Sequence, residues 1–164
     1  MICVGCDSDT KLVALAFEAD GEWETWLTES PNSRASMLLI IDWLTMAVSV
    51  RAGEGHFVAE NTFMYNNPKT TIRLAAMRGR VEAAALIAGY TVHDAVNNEV
   101  WKRTQLGILR GTKTADAKRI SLERARLISG RNITDHNVAD AMGISAWLAG
   151  QQRTARMRVA HGIL

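Results

Sequence analysis

Ile2-Cys3-Val4-Gly5-Cys6-Asp7 is a short apolar run that ends on a carboxylate. A run of this length, followed by the turn formers Asp7-Ser8-Asp9-Thr10, reads as a buried strand. Lys11-Leu12-Val13-Ala14-Leu15-Ala16-Phe17 reads as a second strand. Asp20-Gly21 is a hairpin signal, because both residues tolerate the positive φ of a tight turn. Glu22-Trp23-Glu24-Thr25-Trp26-Leu27 then alternates charge and bulk as a third strand. The chain therefore opens with three antiparallel strands.

Helical patterns follow. Ser33 or Ser36 can cap a helix running to about Ala52, with Gly53 and Gly55 as its stop. Its apolar residues Met37, Leu38, Ile41, Leu44, Met46 and Val48 make a broad buried face. Residues 56–60 form a short strand that ends on Glu60. Pro68 precedes a helix over about Thr70 to Ala88, closed by Gly89. Thr91 to Val96 is the fifth strand. Three helices complete the chain: Asn97 or Asn98 to Leu106, Ala115 to Ile128, and one capped by Thr134 or Asp135 that runs to Ala149. The order βββαβαβααα points to an α/β fold, a central mixed five-stranded sheet with helices on both faces. Residues 1–150 read as one domain, and 151–164 as a C-terminal tail or an arm for a dimer or DNA.

With 164 residues, 48% apolar and 22% charged, the chain is long enough for a real core and too apolar for disorder. No apolar stretch approaches the ~20 residues of a membrane span, and no secretory signal is visible. A cytoplasmic protein is expected. Cys3 and Cys6 point to opposite faces of one strand, which disfavours a disulfide between them. Net charge is +2 but lopsided. Residues 101–164 hold twelve Lys and Arg against four Asp and Glu, giving +8 and leaving −6 for the rest. A basic half suits a polyanion.

Three acids then stand out. Asp7 and Glu60 end apolar strands, and Asp140 lies in the apolar helix segment Val138-Ala139-Asp140-Ala141-Met142. Singly, each has an ordinary explanation: a strand-end Asp serves turns, and a Glu is usually solvated. Together they are costly to bury without a partner. Carboxylate oxygens suit hard cations such as Mg²⁺. Two such ions about 3.5–4 Å apart can activate water and stabilise the leaving oxygen in phosphodiester hydrolysis.

Gly5-Cys6-Asp7, Ala59-Glu60-Asn61-Thr62-Phe63-Met64 and Asp135-His136-Asn137-Val138-Ala139-Asp140-Ala141, with the basic stretch from Trp101-Lys102-Arg103 through Lys118-Arg119, resemble the RuvC-type Holliday-junction resolvases. The phage-borne, RuvC-like branch is the most similar. The resemblance spans about residues 1–150. It implies an RNase H-like fold in which the first strand is central, the fourth lies beside it and the last helix packs across their ends. It further implies a homodimer, Mg²⁺ or Mn²⁺ with two ions per site, and paired nicks in branched DNA. No small-molecule cofactor and no membrane partner are implied.

By the same resemblance Asp7, Glu60 and Asp140 are catalytic metal ligands, and Phe63 stacks on or wedges between bases. Lys102, Arg103, Lys113, Lys118 and Arg119 contact DNA. Two departures matter. The family commonly has Pro-Gly after the first Asp, where this chain has Ser8-Asp9. It usually has Asp or His three residues before the last Asp, where this chain has Asn137. Asp135 is the expected fourth catalytic ligand, reaching in from the helix N-cap. It lies about 140° from Asp140 on an ideal helix, so His136 and Asn137 stay open as alternatives. Two other readings also remain: a non-catalytic branched-DNA-binding module, and a nuclease acting on RNA–DNA hybrid.

Overall fold

A computed structural model describes residues 1–29, 31, 33–51, 54–61 and 67–162. Strands β1 (Ile2–Ser8), β2 (Leu12–Ala19) and β3 (Glu22–Glu29) form the expected antiparallel meander. Asp20 and Gly21 turn the second hairpin with φ of 54° and 85°. Helix α1 (Arg34–Arg51) follows, with the Ser33 hydroxyl accepting the Ser36 amide. Strand β4 (Gly55–Ala59) pairs parallel to β1, in the register Cys6↔Ala59. Helix α2 (Pro68–Ile87) begins on Pro68 itself, where the missing N–H costs nothing, and is capped by Asn67. Strand β5 (Thr91–Val92), helices α3 (Asn98–Leu106) and α4 (Thr114–Ser129), and the 25-residue α5 (His136–Ala160) complete the order.

Among the described residues the sheet has five strands in the order β3-β2-β1-β4-β5, parallel and antiparallel mixed, as expected. One face packs on α1 and α2, through Ile2, Val4, Cys6, Val13, Leu15 and Phe17. The other packs on α3, α4 and α5, through Cys3, Ala14, Ala16 and Val58. Period-two alternation along β1 thus assigns even residues to one helix layer and odd residues to the other.

Two elements differ from expectation. The fifth strand spans two residues rather than six. After Val92 the chain leaves the ladder and returns at Val96, which bridges Glu60. The Val96 amide donates to the Ala59 carbonyl, and its carbonyl accepts the Asn61 amide. This short return tethers the end of β4. The second difference is the tail: α5 does not stop at Ala149 but runs through residues 151–160. Ala, Arg, Gln and Met are good helix formers, so the helix continues without a packing signal. Arg156 ties it to Glu54 at 3.1 Å.

Helix α5 crosses β1 at Gly5. A Cβ there would overlap the carbonyl oxygen of Ala141 and the amide nitrogen of Ser145. The Ser145 hydroxyl, on the same turn, donates to the Cys3 carbonyl at 2.7 Å. Gly5→Ala should therefore push α5 off the sheet and cost about 3 kcal/mol. Gly130→Ala, at φ 66° with open space around it, should cost about 1–2 kcal/mol. Urea denaturation of both variants checks this. A smaller loss at Gly5 than at Gly130 would show that the close approach is not what seats the helix.

Candidate active site

Asp7 is the next inward residue after Cys3 and Gly5 on the α5 side of β1. Glu60 directly follows β4, its amide donating to the Cys6 carbonyl at 2.9 Å. The parallel register that pairs Cys6 with Ala59 sets Asp7 and Glu60 side by side, close enough for the Glu60 charge to act on the Asp7 carboxyl. Asp140 faces them from α5, one position before Ala141, whose carbonyl lies against Gly5. The three acids thus lie near enough for the Glu60 and Asp140 charges to act on Asp7.

Asp140 is only 8% exposed. One of its oxygens accepts a short hydrogen bond from the Ser121 hydroxyl of α4, a side chain that is itself buried. The other lies 2.9 Å from the Lys102 ammonium. Lys102 projects from α3, and its ammonium sits 4.9 Å above the Trp101 ring. Trp101 is fully buried, and its indole N–H donates to Glu60 Oε1 at 3.0 Å. A Cβ on Gly143 would strike the Trp101 ring, so that glycine makes the notch in α5 where the indole lies.

The electrostatics follow from crowding. Burial pushes the Asp7 carboxyl well above the ordinary carboxylate range, and the neighbouring Glu60 and Asp140 charges push it further. Burial also raises Glu60, with the Lys102 charge and the Trp101 hydrogen bond opposing. For Lys102 burial works the other way, but attraction to Asp140 and Glu60 outweighs it and leaves the ammonium above its usual value. Among the described residues, no three His, Cys, Asp or Glu side chains converge closely enough to hold a cation as they stand. The donor set nevertheless suits a hard cation: buried carboxylates that repel one another, already drawing in one positive charge.

The other expected site residues fall elsewhere. Asp135 is the N-cap of α5, accepting the Asn137 amide at 2.8 Å and the Val138 amide at 3.2 Å. His136 Nε2 lies 3.2 Å from the Lys118 ammonium. Asn137 is half-buried in the first turn. Neither Asp135 nor His136 is among the charges that move Asp7 or Glu60. Arg119 is held by Glu123 at 2.9 Å and Asp116 at 3.9 Å on its own helix. Lys113 is exposed at the start of α4, and Arg103 is exposed on α3. Phe63 lies outside the described residues. After Asp7, where the chain has Ser8-Asp9 in place of Pro-Gly, Asp9 shapes the turn: its carboxylate accepts the amides of Lys11 and Leu12.

Lys102 also borders a cleft of about 280 Å³ between α3, the following loop and the start of α4. Asn98, Arg103, Arg110, Thr112 and Thr114 line it with Lys102. Glu99 also lines it, so three basic side chains against one acidic leave its wall net positive, which suits a phosphate backbone.

Ser121 and Trp101 are site residues that sequence reasoning missed. Ser121 gave a faint signal, a small polar residue on the Ala117-Ser121-Ala125 side of α4. Trp101 gave a better one, the lone aromatic in the mostly polar α3. Trp23 and Trp147 pack in the layer between the sheet and α3 to α5, and Trp26 stacks on Trp43 at 5.8 Å.

No family model matches the chain. It is 28% identical over 130 residues to the crossover junction endodeoxyribonuclease RuvC of Solidesulfovibrio magneticus, covering 79% of this chain and 74% of that protein. Among solved structures it superimposes on Thermus thermophilus RuvC in complex with a Holliday junction substrate. There the TM-score is 0.70 and the identity 19%, over 94% of this chain and 96% of the other. A second T. thermophilus RuvC structure gives a TM-score of 0.68 over 94% and 97% of the two chains. The chain is thus similar to RuvC in sequence and shares the fold of the solved RuvC structures.

The raised carboxyls make a stability prediction for the metal-free chain. A folded state that holds acid protons more tightly than the unfolded one is favoured below the ordinary carboxylate values. That contribution is lost as pH rises through the elevated folded values of Asp7 and Glu60. Asp7→Asn removes one crowded charge. At neutral pH in EDTA it should raise the unfolding midpoint by about 2–4 °C, with the gain shrinking as pH falls. Calorimetry across pH checks this, and a variant less stable than wild type at neutral pH would contradict it.

Proposed function

We propose that this chain is a metal-dependent, structure-selective endodeoxyribonuclease that resolves four-way junctions by paired nicks through phosphodiester hydrolysis. The observation that carries this is the placing of Asp7, Glu60 and Asp140 near one another at one end of the sheet, within reach of each other's charge and with Lys102 joining them to a neighbouring cleft. The relationship to RuvC supports the substrate class.

Asp7, Glu60 and Asp140 would hold Mg²⁺, or Mn²⁺ in its place, with two ions per site. The bound ions would supply an activated water and neutralise charge on the leaving oxygen. The chain's own residues do the rest. Trp101 and Ser121 fix the orientation of Glu60 and Asp140, and thereby where the ligand oxygens point. Lys102, Arg103 and the cleft they border position the DNA backbone. Lys113, Lys118 and Arg119 extend that basic surface along α4, and Phe63 reads the base stack near the cut. Of the alternatives for a fourth ligand, Asp135 keeps its place as the only carboxylate, while His136 and Asn137 stand beside it in the first turn of α5.

A homodimer would set two such sites on opposing strands, so symmetric nicks follow from an isologous interface. Among the described residues no helix is long and apolar enough to cross a membrane, and we place the protein with DNA in the cytoplasm. One observation favours a second reading, a branched-DNA-binding module without catalysis: Lys102 already neutralises Asp140.

Labelled four-way junction, linear duplex and RNA–DNA hybrid, each with Mg²⁺ and with EDTA, separate these readings. The junction should be cut in the presence of Mg²⁺ and left whole in EDTA. Loss of an outer-shell partner typically costs about 10–100-fold, so Asp7→Asn, which removes a ligand, should cost more while junction binding persists. Junction bound but never cut with Mg²⁺ or Mn²⁺ would establish the binding-module reading. Preferential cutting of the hybrid would redirect the substrate assignment.

A further inference from the structure

Lys102 belongs to two places at once. Its ammonium is 2.9 Å from Asp140 inside the acid cluster, with its side chain only 15% exposed. It also forms part of the wall of the basic cleft with Arg103 and Arg110. The carboxylates as they stand do not converge on a cation site among the described residues. One Asp140 oxygen is taken by Lys102 and the other by Ser121, and Glu60 accepts the Trp101 indole.

We propose that Lys102 is the resident cation of the acid cluster in the DNA-free chain, and that DNA phosphate releases it to admit metal. This gate rests on the metal-dependent reading above. A divalent cation bound at Asp140 competes with the ammonium for the same carboxylate oxygen, and each weakens the other's hold on it. Lysine is suited to leaving. Its charge is a compact, strongly hydrated point on a four-carbon stem, so side-chain rotation alone moves it while α3 stays in place. What it needs is another anion within reach, and the cleft it borders is built for one.

Without DNA, then, the cluster is neutralised in part and binds metal weakly. A phosphate seated in the cleft turns Lys102 outward and exposes Asp140. By linkage, metal then tightens DNA binding by the same factor that DNA tightens metal binding.

The test measures Mn²⁺ binding to the full chain by titration calorimetry and by electron paramagnetic resonance of the free ion. Without DNA, Lys102→Met should bind Mn²⁺ at least about tenfold more tightly than wild type. Lys102→Arg, which keeps the charge, should not. A junction with phosphorothioates at the crossover, to slow cutting, should tighten Mn²⁺ binding by wild type about tenfold and leave Lys102→Met nearly unchanged. Equal affinity of wild type and Lys102→Met without DNA, abolished by Asp7→Asn, would overturn the lysine proposal and leave the metal site standing. Absence of Mn²⁺ binding in both, or binding indifferent to Asp7→Asn, would overturn the metal site and this proposal with it. If Lys102→Met fails to fold, wild type decides alone: affinity for Mn²⁺ that does not respond to the junction refutes the gate.

Discussion

Helix α5 rests directly on β1 because residue 5 has no side chain. That single approach sets the distance between sheet and helix, and the rest of the site inherits it. Asp140 precedes Ala141, whose carbonyl would meet any Cβ at position 5. A thicker contact would carry Asp140 away from Asp7 and Glu60. The Ser145 hydroxyl on the Cys3 carbonyl and the notch at Gly143 for Trp101 complete the seating. The chemistry is thus located by two glycines that have no chemistry of their own.

Around that contact the structure gathers three acids and then spends its polar groups restraining them. Trp101 reaches Glu60, Ser121 reaches Asp140, and Lys102 answers the net charge. These restraints come from α3 and α4, the helices that flank α5 over the sheet. Asp7 alone rests on its neighbours, and it is the carboxyl whose surroundings most oppose ionisation, through burial and two like charges. A bound proton or a positive charge close by relieves such crowding, and Lys102 supplies the charge here.

Much of this was legible in the sequence. The alternation in β1 to β3, the Asp20-Gly21 turn and the glycines after the first two helices marked the element order, and the strand-end acids and helix-borne Asp140 marked the cluster. What stayed hidden was contact between distant residues. Nothing near Ser121 in sequence says that it faces Asp140, nineteen positions on. Lys102 read as one more member of a basic run, because charge type shows in sequence and charge location does not. The extension of α5 was hidden for a different reason. Gln151-Gln152-Arg153-Thr154-Ala155-Arg156 has no apolar stripe, and its order comes from helix propensity and a distant ion pair with Glu54. The fifth strand shortened because Val96 serves the end of β4 rather than a continuous ladder.

The charge imbalance has a spatial form in the edge strand β3. Glu22, Glu24 and Glu29 are exposed along it, at the far side of the sheet order from β5. An edge strand studded with acids discourages pairing with another sheet. It also makes the molecule a vector: one flank repels a nucleic acid while the layer of α3 to α5 attracts it. A polyanion approaching such a field would be turned before contact, so that the collisions that survive would be those already facing the cleft.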